Sequence, residues 1–496
     1  MSLDPELDAL DTFESLNPAT SEPIGRFPVH DADHVAEIVD RARIAAQWWA
    51  ELGWDERRRR LLAWKGVLAR RIQQLSELVH RENGKPTIDA FLEIVNSIEH
   101  LHWAAKHARP VLGPHRVSPG ILMANQAATV EYQPYGVVAV IGPWNYPVFT
   151  PMGSIGYALA AGNAVVFKPS EHTPAIGEWL VRTFAQVVPE QPVLSLVTGA
   201  GETGAALCRS GADKVAFTGS AATGKRVMAA CAESLTPVLV ESGGKDVLIV
   251  DGDADIAAAA DAAAWGGMSN AGQTCIGVER VYVVDSVYDE FVQRLTTLVR
   301  GLRAGDGGGA QLGPITMPSQ IDTIRRHITD ALDRGARAVV GGLESVRPPY
   351  VDPVVLVDVP EDAPAITEET FGPTLTVTRV SDADEAIDKA NATDYGLAAT
   401  VFAKKRAMEL ARRVRSGMTS VNSVVAFAAI PSLPFGGVGQ SGFGRIHGAD
   451  GLREFARAKA IARQRFRSPL PVITFARTPK AEARLAKIIA LRHGRS

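Results

Sequence analysis

VVAVIGPWNYP, residues 137–147, runs a β-branched strand into a turn bracketed by two prolines, and it opens the stretch whose pattern decides the fold. From Val137 to Val250 short β-rich runs alternate with helical segments, the pattern of a parallel sheet covered by helices. The predicted strands are 137–141, 164–167, 193–197, 214–217, 237–240 and 246–250, with helices over Thr173–Gln186 and Ala222–Glu233 between them. After Asp253 the alternation resumes with a helix to Gly266, a strand at 280–284 and an amphipathic helix over Val287–Leu302. Two α/β units in series are implied.

Upstream, residues 31–112 place apolar side chains at helical spacing, and the run Arg57 to Arg60 reads as the solvated face of one such helix. A chain of 496 residues has room for two or three domains. Its net charge of −3 offers no concentrated basic face, which argues against nucleic acid as a partner. Three cysteines, Cys208, Cys231 and Cys275, form no CxxC pair, so neither a disulfide framework nor a metal site is expected. The opening MSLDPELDALDTFES lacks the basic start and apolar run of a secretory signal, and no apolar stretch of about 18 residues occurs. The expectation is a reducing, cytoplasmic setting.

Three segments carry the chemistry. In AGQTC, Cys275 lies among Gly272 and Gly277, small neighbours that would give substrate and cofactor access to a nucleophilic thiol, whereas Cys208 and Cys231 sit in helical patterns and read as small core residues. A thiolate at Cys275 would need nearby dipoles or positive charge. In VLVESGGKD, Glu241 closes a strand of the parallel set, on the rim where such sheets bind ligands, and suits a general base. A surface or ion-paired glutamate is the alternative. In IGPWNYP, Asn145 is held between Pro143 and Pro147, where its amide could donate to an oxyanion or serve only the turn.

Glycine-rich loops need sorting. GSAATGKR at 219–226 has the spacing of a phosphate loop, but Arg226 stands where the metal-binding hydroxyl should be, so nucleotide hydrolysis is poorly supported. As a strand–loop–helix it instead puts Ser220 at a helix N-terminus suited to a pyrophosphate. GVGQSG at 437–442 neither follows a strand nor opens a helix and is set aside as a dinucleotide signature.

In order along the chain, PWNYP, KPSE (168–171), FTGS with Gly224, ESGGK (241–245), GQTC (272–275), EETFGP (368–373), and PFGG followed by SGFGR (434–445) resemble the aldehyde dehydrogenase superfamily from about residue 14 to about 465. The resemblance implies an α/β, aldehyde dehydrogenase-like fold with two Rossmann-like parallel-sheet domains and a small β oligomerisation element. Residues 1–115 and 136–244 would form the NAD-binding domain and 245–456 the catalytic domain. Residues 116–135 and 457–470 would form the oligomerisation element of a homodimer or homotetramer, leaving 471–496 as a basic tail. Cys275 would be the nucleophile, Asn145 an oxyanion donor and Glu241 the base that activates water against a thioester. Lys168 and Glu369 would bind the cofactor riboses, Phe371 and Trp144 would line its cleft, and Gly219, Ser220 and Gly224 would hold its pyrophosphate.

Glu171, beside the adenine ribose position, accepts from a free 2′-hydroxyl and repels a 2′-phosphate, which favours NAD over NADP. Ser242 replaces the family's usual leucine, and Ile446 follows Arg445 where some members carry a second, proton-relay glutamate, so no relay is assigned there. Small apolar residues in VNSVVAFAAIPSLPFGG point to an apolar, medium-chain or broad-range aldehyde. A CoA-acylating enzyme is the first alternative, disfavoured because such members generally lack the glutamate; a non-catalytic structural relative is the second. In the tail, Thr478 reads as an N-cap with Pro479 behind it, and the helix is expected to pack against the body, with peripheral membrane contact as the alternative.

Overall fold

The computed structural model describes residues 11–306 and 309–494. The first ten residues, the centre of the 305–309 loop and the last two tail residues lie outside them. The first sheet has six strands in the order 442–443, 238–242, 214–219, 137–141, 164–168, 194–196. All neighbours are parallel except the short outer strand Gly442–Phe443, which runs antiparallel to Val238–Ser242. The second sheet has seven strands, 337–340, 354–357, 374–380, 278–284, 246–250, 398–402, 418–421. Asp246–Val250, which the sequence pattern runs together with the first sheet, lies in the interior of the second, between Val278–Val284 and Ala398–Phe402. The central strands of both sheets, such as Val137–Ile141 and Asp246–Val250, are buried and dominated by Val, Ile, Leu and Ala, as strands covered on both faces must be. A third, antiparallel sheet joins Ala456–Gln464, Gln126–Pro134 and His115–Val117.

Helices Ala32–Glu51, Gly53–Arg70, Ile72–Asn83 and Thr87–Leu112 precede the first sheet, as the periodicity predicts. The arginine run departs from a simple solvated face. Arg57 is buried, its guanidinium donating to the Ala50 carbonyl at 2.9 Å and lying over the Trp54 ring, while Arg59 and Arg60 pair with Glu56. The tail helix Pro479–His493 begins at Thr478, whose hydroxyl accepts from the Ala481 N–H at 3.3 Å. Its expected packing on the body is not seen: only Ala481 is buried, and Ile473, Phe475 and Leu491 are exposed. No helix among the described residues is long and apolar enough to cross a membrane.

Candidate active site

Parallel pairing puts the ends of the first sheet's central strands side by side. Ile141 is opposite Lys168 and Phe217, and Thr218 is opposite Glu241. The residues just beyond those ends therefore share one rim, where the turn 142–147, Lys168, Gly219 and Glu241 meet. Helix Phe149–Ala161 leaves the turn directly. Asn145 is buried and spends one amide N–H on the Gln273 carbonyl at 3.0 Å, which points the side chain at the segment bearing Cys275 and keeps its second N–H free of that bond.

Cys275 arrives by an unusual path. Asn270, Ala271 and Gly272 all have positive φ, the first two at a cost non-glycine residues seldom bear. Gln273 holds this strained turn together: its side-chain amide donates to the Asn270 and Pro314 carbonyls, and its Oε1 accepts from Thr316 N. Gly272 is required for a reason other than access to the thiol. A Cβ there would collide with the Gly372 carbonyl, so the glycine permits two backbones to touch; Gly277 likewise faces Thr274 and Gly266. The Cys275 N–H makes no hydrogen bond within the described residues and is free to donate.

Cys275 keeps some solvent contact at the foot of a tunnel of about 540 Å³. The thiol is densely surrounded, and burial pushes it well above its ordinary value, reinforced by the nearby carboxylates Glu241, Asp246 and Glu369. None of these groups carries the positive charge that would favour a resting thiolate, and burial favours the neutral thiol. Glu241 is fully buried, and burial pushes its pKa up to about 8 even though the Cys275 thiol and the Thr218 hydroxyl stand close enough to favour its charged form. Neither carboxyl oxygen has a well-aligned hydrogen-bond partner, which leaves both available for chemistry.

A second cavity, of about 780 Å³, is lined by Trp144, Lys168, Glu171, Gly219, Ser220 and Thr223 among others. Its features fit a dinucleotide. Ser220 caps helix Ala221–Ala232, leaving first-turn N–H groups for an anion, and Gly224 lets that helix close on Val240 of the sheet. Among the described residues the buried Lys168 ammonium has only the neighbouring Pro169 carbonyl as acceptor, at 3.0 Å, and burial lowers its pKa. Glu171 is exposed at the wall. Glu369 and Phe371 do not line this cleft. The Glu369 carboxyl is turned inward, accepts from Gly244 N at 3.0 Å and is pushed by burial up to about 8; Phe371 stacks edge-on against Trp144 at 5.5 Å.

Two buried lysine–glutamate pairs escape the sequence reading. Lys85 meets Glu93 at 2.6 Å and donates to the Asn145 carbonyl at 2.7 Å, while Glu93 accepts from Val148 N and Phe149 N. Lys245 pairs with Glu279, which accepts from Thr370 N and Phe371 N. The available signal is a glutamate on the apolar face of a helix, FLEIVN, about two turns after an ENGKP break.

Comparison with known proteins gives a consistent answer. The model of the family described as "Aldehyde dehydrogenase family" matches residues 6–461. The chain is 38% identical over 462 residues to a 4,4'-diapolycopene aldehyde oxidase of Methylomonas sp, covering 92% of this chain and 87% of the relative. It is 34% identical to a 3-sulfolactaldehyde dehydrogenase of Pseudomonas putida, covering 92% and 94%. Among solved structures, lactaldehyde dehydrogenase from Escherichia coli superposes with a TM-score of 0.87 at 30% identity, covering 92% of this chain and 96% of that one.

Proposed function

The chain belongs to the aldehyde dehydrogenase family and is an oxidoreductase acting on the aldehyde group, and from that premise we propose that it oxidises an apolar aldehyde, medium-chain or of broad range, to the carboxylic acid with NAD through a thioester on Cys275. The observation that carries this reading is a thiol open to a tunnel while a buried carboxyl, Glu241, stands against it without a committed partner.

The chain's own residues account for each step. Cys275, which keeps contact with the tunnel, gives its proton to solvent as the sulfur adds to the aldehyde carbon, and Glu241 is kept for the later water. The resulting oxyanion is met by the second Asn145 N–H and by the Cys275 N–H. NAD, when bound, supplies the two-electron acceptor that converts the thiohemiacetal into a thioester. Glu241 in its basic form then takes a proton from water as the water oxygen attacks the acyl carbon; the C–S bond breaks, the acid leaves, and Glu241 passes its proton to the departing sulfur, which restores both the thiol and the carboxylate.

Lys168 and Ser220 would hold the dinucleotide, with Glu171 at the adenine ribose favouring NAD, although relatives named as NADP-dependent exist in the family. We assign residues 1–115 and 136–244 to cofactor binding and 245–456 to catalysis. Residues 116–135 and 457–470 form the element through which a homodimer or homotetramer assembles, since Ala456–Gln464 pairs on one edge only among the described residues. A cytoplasmic location accords with three free thiols. The test is product analysis with NAD and an aldehyde, with and without CoA. Free acid and NADH in equal amounts, independent of CoA and abolished in Cys275→Ala, is the expected result; acyl-CoA as product would transfer the chain to the acylating class.

A further inference from the structure

The tunnel above Cys275 is a slot between two helices, and its walls can be read residue by residue. One wall is the face of Thr87–Leu112 that carries Asp89, Leu92, Glu93 and Asn96, spaced by three and four residues. The other is the face of Ile256–Met268 that carries Ala258, Asp261, Ala262, Trp265 and Gly266, with Ser269 at its end. Ala258 to Ser269 is eleven helical steps, so this wall runs roughly 16 Å from mouth to foot. The small residues Ala258, Ala262 and Gly266 leave the slot open along that length, and the loop bearing Val424, Val425, Ala426 and Ala428 closes its side.

Two features at this slot have no use in the chemistry. Leu92 and Trp265, on opposite walls, are each 47% exposed, and Ile88 and Phe91 continue the same helix face outward at 63% and 37%. Large apolar side chains so placed leave an apolar lip that is wet without a ligand. The charges are also one-sided. The lining contains no lysine, arginine or histidine, and its carboxylates are Asp89, Glu93 and Asp261. Glu93 is neutralised by Lys85 behind the wall, whereas neither Asp89 nor Asp261 has an ion-pair partner among the described residues.

We infer that the substrate is a long, uncharged, apolar aldehyde whose chain fills the slot and lies on the Leu92–Trp265 lip, and that Asp89 and Asp261 turn away aldehydes ending in a carboxylate or sulfonate. This rests on the reading of Cys275 as the aldehyde-binding nucleophile. Each methylene placed in the slot leaves water, which is worth on the order of two- to fourfold in kcat/KM. A distal carboxylate gains no cation and meets two carboxylates in a partly desolvated space.

The experiment is steady-state kinetics of the full chain with NAD on propanal, hexanal, decanal, succinic semialdehyde and an ω-aminoaldehyde. The inference expects decanal to exceed propanal by about a hundredfold in kcat/KM, and succinic semialdehyde to fall below hexanal by at least about tenfold. In Trp265→Ala the decanal-to-propanal ratio should drop by about tenfold, and in Asp89→Asn the ratio of succinic semialdehyde to hexanal should rise by a similar factor. A flat or inverted chain-length profile, or preference for the anionic or cationic aldehyde, would overturn this inference while leaving the aldehyde oxidation intact. Absence of turnover on every member would instead overturn the reading of the site beneath it.

Discussion

The same device, a buried lysine–glutamate pair accepting two consecutive backbone N–H groups, occurs on both sides of Cys275, and the two copies hold different things. On the substrate side, Glu93 takes the amides of Val148 and Phe149 and Lys85 takes the Asn145 carbonyl, so the pair fixes the turn that aims an oxyanion donor. On the cofactor side, Glu279 takes the amides of Thr370 and Phe371 and Lys245 adds the Thr370 hydroxyl at 3.0 Å, so the pair fixes the loop that carries Glu369 and the ring against Trp144. A buried ion pair is a poor source of net stability, but removing one partner leaves the other charge stranded. Rigidity is thus supplied separately to the turn that carries Asn145 and to the loop that carries Glu369 and Phe371.

That separation can be broken experimentally. The largest effect should come from Lys85→Met, which strands Glu93 and costs about 3–5 kcal/mol of stability by denaturant melt. Its kcat should fall about as far as in Asn145→Ala, where losing one oxyanion donor costs about 3 kcal/mol of barrier, while the KM for NAD stays near that of the parent. The double variant Lys85→Met/Glu93→Gln should recover stability but not kcat; recovery of both would reduce the pair to a structural role. Lys245→Met should act the other way, raising the KM for NAD about tenfold, the scale of one charged hydrogen bond, with a smaller change in kcat. An equal loss of kcat in both lysine variants would erase the distinction. The smallest effect belongs to Glu171→Gln, which removes a charge from the wall and should raise kcat/KM with NADP about three- to tenfold. No change there would remove the electrostatic argument for NAD.

Much of this was legible in the chain. The strands 137–141, 164–168 and 214–219 declare themselves because residues buried on both faces must be apolar throughout, and Asn145, Glu241 and Lys168 fall just at or beyond such strand ends. Cys275 stands out by its neighbours. What local patterns could not show is where charges pair in space. Arg57 looks like its exposed neighbours until Trp54 and the end of the first helix enclose it. Lys85 and Glu93 meet only because the helices around the turn bring them together beneath it. Gly272 reads as an open approach to the thiol, yet its contact is the Gly372 backbone a hundred residues away. The inward turn of Glu369 depends on Gly244, and the tail helix shows its cap in sequence but not what it rests on.

The proposed chemistry leaves a thioester on Cys275 that only Glu241 can clear. Because burial holds the Glu241 carboxyl up to about 8, it is protonated at neutral pH and gains its basic form as pH rises; acid release should climb with pH and level off above about 8. Intact-mass spectrometry of Glu241→Gln, mixed with aldehyde and NAD and quenched within seconds, tests it most directly. The expected result is one acyl group per chain on Cys275, a single equivalent of NADH and then a stall with no pH limb. Steady turnover at the parent rate with an unmodified cysteine would contradict it.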